Sequence, residues 1–211
     1  MTPIDTLNPL QVGRLHEIGE GKKFWGYLDT EALQSRYVLA AHFVRGIQHV
    51  VEIGGYRRNA VTNFLTGPHE SVSVYSLDAE FEPMESCELN GGVCRVRHVR
   101  DFFQNHQHPE GQIALVALGL EILGNLEPFC ALLRRATVAV IEVPMHHAPS
   151  LDCLQRIEQA VSCRLRCRID LDLSPNEPLL RDELARSNLN APFWHRSVRV
   201  LEPVAAASSA L

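Results

Sequence analysis

From residue 49 onward, short apolar runs alternate with stretches of helical periodicity, and this alternation constrains the fold more than any other feature. Strand candidates are 49–53, 71–77, 93–99, 113–118, 137–143, 164–173 and 197–201. The runs Ile113–Leu118 and Thr137–Val143 lack the polar alternation of a half-exposed strand, so both of their faces must be covered. Helical stretches lie between the strands: Asn59–Leu65, stopped by Gly67-Pro68, then Leu120–Arg134 and Ser150–Val161. Ahead of the first strand, Leu33, Tyr37, Leu39, Ala40 and Phe43 recur at helical spacing behind Asp29 or Thr30 as a cap. Regular alternation of this kind predicts an α/β layer fold: a seven-stranded, mostly parallel sheet with helices on both faces. The last two strand candidates have no obvious long helix between them, which predicts an antiparallel edge strand.

Composition narrows the function classes. The 211 residues suit one domain with a small appendage, divided as a helical lid over 1–45, an α/β domain over 46–204 and a loose tail over 205–211. A net charge of −5, with Lys22 and Lys23 the only lysines, argues against nucleic acid as a partner. The longest uncharged apolar run, Ile113–Leu120, is too short to cross a membrane. Met1–Asp5 shows no basic region leading into an apolar stretch, so a cytoplasmic protein is expected. Six cysteines at 87, 94, 130, 153, 163 and 167 form no CxxC pair, which reads as reduced thiols. The ten histidines show no HExxH pattern, so no metal is expected.

A strand that ends in glycine and feeds a helix places backbone amides, free of any Cβ, against a nucleotide-like ligand. The segment here is Val50-Val51-Glu52-Ile53-Gly54-Gly55-Tyr56-Arg57-Arg58-Asn59-Ala60. It lacks the second and third glycines of a dinucleotide fingerprint, which disfavours NAD and FAD. Glu52 lies in an apolar strand, where an unpaired charge is costly, so it serves a ligand or a buried arginine. Asp78 ends the second strand candidate, 24 residues after Gly54, and Asp101-Phe102-Phe103 follows the third.

Glu52-Ile53-Gly54-Gly55-Tyr56 resembles the first motif of class I S-adenosylmethionine-dependent methyltransferases, particularly small O-methyltransferases. The later acids agree with that resemblance in order and spacing. It implies a Rossmann-like fold and S-adenosylmethionine as cosubstrate or substrate. It further implies Glu52 near the methionine amine, Gly54, Gly55 and Tyr56 in the ligand turn, and Asp78 on the ribose hydroxyls. By the same resemblance Asp101 meets the adenine amino group, where it equally reads as the cap of a helix starting at Phe102, Phe102 or Phe103 borders the ring, and Leu118 ends the fourth strand beside the ligand. Arg58 departs from the pattern, standing where many relatives carry another glycine, and Ala117-Leu118-Gly119-Leu120 lacks the polar residues of the metal-dependent and planar-nitrogen subtypes.

Candidate catalytic groups are fewer. His146 and His147 follow the fifth strand, at the edge where ligands bind, and a histidine is a natural proton acceptor or a plain surface residue. Lys22–Leu28 holds Phe24, Trp25 and Tyr27 around Gly26, which reads either as the inner face of a lid or as an apolar plug. Trp25 and Tyr27 on a lid would face a sulfonium, which aromatic rings attract. Arg57 or Arg58 is a carboxylate clamp or a solvated face. With no substrate domain appended, methyl transfer to a small molecule is the expected activity. The alternatives are cyclisation of S-adenosylmethionine to azetidine-2-carboxylate with release of methylthioadenosine, and a scaffold that has lost the ligand.

Overall fold

A computed structural model describes residues 31–55, 60–77, 81–118, 125–172 and 195–204. Eight strands form one sheet: β1 (His49–Ile53), β2 (Ser71–Tyr75), β3 (Met84–Leu89), β4 (Gly92–Val99), β5 (Ile113–Leu118), β6 (Ala136–Pro144), β7 (Cys163–Asp172) and β8 (His195–Pro203). Their order across the sheet is β3-β4-β2-β1-β5-β6-β8-β7. The strands β4, β2, β1, β5 and β6 run parallel, while β8 is antiparallel to β6 and β7 to β8, so the expected antiparallel edge is present. The unexpected strand is β3, which makes an antiparallel hairpin with β4.

Alternation of side chains across the central strands divides the core in two. Val50, Val74, Val116, Val140 and Val198 share one face with Tyr37, Val38, Ala41 and Val44 of α1 (Glu31–Phe43) and the residues just after it. Val51, Leu115, Ala139 and Ile141 share the other face with Phe129 and Leu133 of α2 (Glu127–Arg135) and Leu154 and Ile157 of α3 (Ala148–Ala160). The segment from Tyr37 to Val44 is thus part of the layered core, and the lid reading of Trp25 and Tyr27 concerns residues outside those described. The helix expected over 59–65 is a single 3-10 turn, Val61–Asn63. The helix expected from Leu120 is seen from Glu127, where Asn125 Oδ1 accepts the Glu127 amide at 3.0 Å and Pro128 occupies the first turn.

The turn after β1 requires both of its glycines, for different reasons. Gly54 has φ of 88°, a conformation unfavourable for a side chain. A Cβ on Gly55 would lie 2.5 Å from Val74 Cγ1 and 3.2 Å from Phe81. Gly55→Ala is therefore expected to destabilise the protein by about 1–3 kcal/mol through overpacking, measured by urea unfolding, with no help from a flexible neighbour because Val74 is fully buried.

Candidate functional site

The chain reverses direction across the sheet between β1 and β5, since β2 lies on one side of β1 and β5 on the other. Ligands of open α/β sheets bind beyond the carboxyl ends of the strands at such a switch point. A cleft of about 250 Å³ opens there, formed by Ile53 at the end of β1 and Gly54 after it, Tyr75, Ser76 and Leu77 at the end of β2, and the segment from Asp101 after β4, with Asn125 on the rim. The turn is bonded to β2: the Gly54 and Gly55 amides donate to the Tyr75 carbonyl at 2.8 and 3.3 Å, and the Ser76 hydroxyl donates to the Gly55 carbonyl. Leu77 and Phe102 are 55% and 49% exposed, so the cleft offers two apolar surfaces to a flat ligand.

Asp101 organises its own loop. Its Oδ1 accepts the Phe102 amide at 2.7 Å and Asn105 Nδ2 at 2.9 Å, and its Oδ2 meets His106 Nε2 at 3.0 Å. The Phe102 amide in the first place, and the Asn105 and His106 bonds after it, outweigh desolvation and hold the Asp101 carboxyl below its ordinary range. His106 and His108 then lie against the Tyr75 ring, with centroids 5.2 and 5.6 Å away, which anchors the loop to β2.

Among the described residues, two carboxylates are fully buried on the α1 face of the sheet. Glu52 sits between Val74 of β2 and Val116 of β5, and its Oε2 accepts the Val61 amide at 2.7 Å. Its Oε1 is buried without a partner among the described residues. Desolvation dominates here, opposed by the Val61 bond and the Arg36 charge, and pushes the Glu52 carboxyl up to about 8. Glu142 of β6 behaves oppositely. Burial works to raise it, but Arg36 at 3.1 Å from Oε2 and Arg196, bonded to Oε1, outweigh burial and keep it below its ordinary range. Arg36 also lies over the Tyr37 ring, 5.1 Å from its centroid.

Of the residues expected at the site, Gly54, Asp101 and Phe102 meet in the cleft. Glu52 lies behind them on the α1 face, Gly55 is fixed by packing, and Leu118 is 4% exposed within the core. His146 follows β6 and packs edge-on against His195 at 5.6 Å, while His147 Nδ1 lies 2.7 Å from the Ser150 hydroxyl. Trp25, Tyr27, Tyr56, Arg57, Arg58 and Asp78 lie outside the described residues. Sequence reasoning missed Glu142 and its two arginines, and also Gln104 and Asn125 on the cleft wall. Glu142 carries the same signal as Glu52, an acid inside an apolar strand. Among the described residues no three metal-ligating side chains cluster, all six cysteines are free, and no helix is long and apolar enough to cross a membrane.

No family model and no curated protein sequence matches the chain. Solved structures do. The N-methyltransferase NodS from Bradyrhizobium japonicum WM9, in complex with S-adenosyl-L-homocysteine, superposes with a TM-score of 0.55 at 8% identity, covering 92% of this chain and 98% of its own. The chain has the class I methyltransferase fold. A 1,6-didemethyltoxoflavin-N1-methyltransferase from Burkholderia thailandensis, with bound 1,6-didemethyltoxoflavin and S-adenosylhomocysteine, gives 0.54 at 15% identity, covering 97% of this chain and 91% of its own. A mycolic acid cyclopropane synthase complexed with SAH and CTAB gives 0.50 at 11% identity, covering 82% and 84%. This is the Rossmann-like sheet that the Glu52–Tyr56 segment and the two later acids imply.

Proposed function

We propose that the protein is an S-adenosylmethionine-dependent enzyme that transfers a methyl group to a small molecule. The observation that carries this reading is the meeting of the Gly54 turn and the Asp101-Phe102 segment in one cleft at the switch point of a methyltransferase fold. NodS and the toxoflavin methyltransferase hold S-adenosylhomocysteine on that fold, which supports the same ligand class here.

The residues present fit such a ligand. Leu77 and Phe102 offer apolar surfaces for the purine, and Asp78, the next residue in the sequence after Leu77, is the one the resemblance assigns to the ribose. Glu52 supplies a carboxylate oxygen that no described group satisfies, complementary to an amino-acid ammonium. The bound ligand supplies a methyl carbon on a sulfonium whose leaving group is a neutral thioether. The chain's own work is then positioning and exclusion of water, with no strong base required. His146, exposed at the end of β6, is the described group offered as proton acceptor for an acceptor that must lose one.

A second reading, cyclisation of the ligand on its own amine, draws support from the apolar end of β5, where Ala117 and Leu118 are both buried. Incubation with S-adenosylmethionine alone separates the two. Methylthioadenosine formed without an acceptor selects cyclisation, whereas a bound, unreacted ligand keeps methyl transfer. A protein that binds no S-adenosylmethionine is a scaffold. Asp78→Ala is expected to weaken binding by about 1.5–3 kcal/mol through loss of a charged acceptor, with little change in melting temperature. An unchanged dissociation constant in calorimetry would remove the ribose assignment.

A further inference from the structure

We infer that Thr62 and His98 are positioning residues for Glu52: their mutual bond pins the turn whose first amide holds one oxygen of the Glu52 carboxylate, which leaves the other for the ligand's ammonium. This rests on the ligand proposed above and adds two residues that do not line its cleft.

The arrangement begins with strand register. Glu52 of β1 is level with Val74 of β2, and Val74 with His98 of β4. In parallel strands such partners point to the same face, so the three side chains form one row on the α1 face. Two strand spacings, roughly 9–10 Å, separate the carboxylate strand from the imidazole strand, too far for a direct bond. The 3-10 turn Val61–Asn63 closes that gap with consecutive residues. The Val61 amide donates to Glu52 Oε2 at 2.7 Å, and Thr62 Oγ1 lies 3.0 Å from His98 Nε2. Burial holds the His98 ring below its ordinary range and so favours the neutral form. A neutral imidazole has one donor and one acceptor nitrogen and a hydroxyl is both, so this bond forms with either tautomer.

A single turn of three residues cannot hold itself, and this one has no side-chain cap of its own. Val61, Phe64 and Leu65 fix its depth in the core, but apolar contact is not directional. The bond to His98 sets its rotation, and with it the aim of the Val61 amide. His98 is itself braced by the Phe81 ring, stacked at 5.2 Å, and Phe81 lies against Gly55 of the ligand turn. One imidazole therefore steadies the ligand turn through Phe81 and the Glu52 carboxylate through Thr62 and Val61. Glu52 Oε1 remains buried without a partner among the described residues, the oxygen left to an ammonium.

The test is calorimetric binding of S-adenosylhomocysteine and of 5′-methylthioadenosine, which shares its nucleoside and thioether but has no ammonium. Thr62→Val keeps the volume and removes the hydroxyl. It is expected to weaken S-adenosylhomocysteine by about fivefold to twentyfold, and methylthioadenosine by less than about twofold. His98→Phe keeps a ring against Phe81 and should give the same selective loss, whereas Thr62→Ser, which keeps the hydroxyl, should bind as wild type does. The double variant Thr62→Val, His98→Phe should lose no more than either single one, because both remove the same bond. In a Glu52→Gln background Thr62→Val should cost no further selectivity, since its effect runs through the carboxylate. A merely structural pair would weaken both ligands alike, and that result would overturn the inference. So would an unchanged affinity for S-adenosylhomocysteine in both Thr62→Val and His98→Phe. Wild type that binds neither ligand would instead overturn the cosubstrate reading.

Discussion

Glu142→Ala is expected to destabilise the protein by about 3–5 kcal/mol, the usual result of removing one member of a buried ion cluster. Glu142 is completely buried, Arg196 is 4% exposed, and Arg36 reaches the same carboxylate from α1. One carboxylate thereby joins α1, β6 and β8, and its loss leaves two like charges facing each other in a medium of low dielectric. The cluster itself need not stabilise relative to apolar side chains. The triple replacement Arg36→Met, Glu142→Leu, Arg196→Met should therefore lose less than Glu142→Ala alone. The sign of the pH dependence follows from the lowered Glu142 carboxyl. Its contribution is fully present above 4.5, its ordinary value, and disappears as pH falls through the lower folded value. Urea unfolding at neutral and acidic pH checks both statements; a loss below about 1 kcal/mol for Glu142→Ala would show that the cluster does not hold these elements together.

The parallel core was legible because burial on two faces leaves a simple mark, an unbroken apolar run such as Ile113–Leu118, and no other element type of that length has both faces covered. The antiparallel edge was legible from what the sequence omits between residues 173 and 195, an obvious crossover helix. Strand β3 was not, because every residue of Met84–Leu89 is exposed or half-buried and the segment carries almost no apolar pattern. Its signal lay instead in Asn90-Gly91, where φ values of 52° and 78° make the tight turn that such a pair favours between antiparallel strands. Asp101 shows a different limit. The resemblance placed it beside the ligand, with a cap on the Phe102 amide as its other reading; it lines the cleft and does accept that amide, but the bonds from Asn105 and His106 depend on those residues folding back onto it. Spacing gives position along the chain; it does not show which donors are already engaged.

Glu52→Gln is expected to stabilise the protein at and above neutral pH, although it removes a charge that the sequence motif favours. The folded Glu52 carboxyl is raised to about 8 against an ordinary value of 4.5, so the folded state holds its proton more tightly than the unfolded state does. Below 4.5 both states are protonated and Glu52 imposes no penalty. Between 4.5 and about 8 the unfolded chain ionises while the folded one resists, and stability falls with rising pH; above about 8 the full penalty is present. Glutamine can keep an acceptor on the Val61 amide and never ionises, so its advantage should open above 4.5 and level off above about 8, on the order of 3–5 kcal/mol. The groups that share this face, Arg36, Glu142 and Arg196, remain in place in the variant. The same proton gives a direct reading of the ligand. If an ammonium group settles on the unpartnered oxygen of Glu52, binding near pH 7 must drive the carboxyl to its ionised form and release close to one proton. Calorimetry of S-adenosylhomocysteine in buffers of different ionisation enthalpy would show that release in wild type and its absence in Glu52→Gln. Wild type more stable than Glu52→Gln at pH 8, together with identical proton uptake in both, would mean that Glu52 is ionised in the unliganded protein and paired from within the chain.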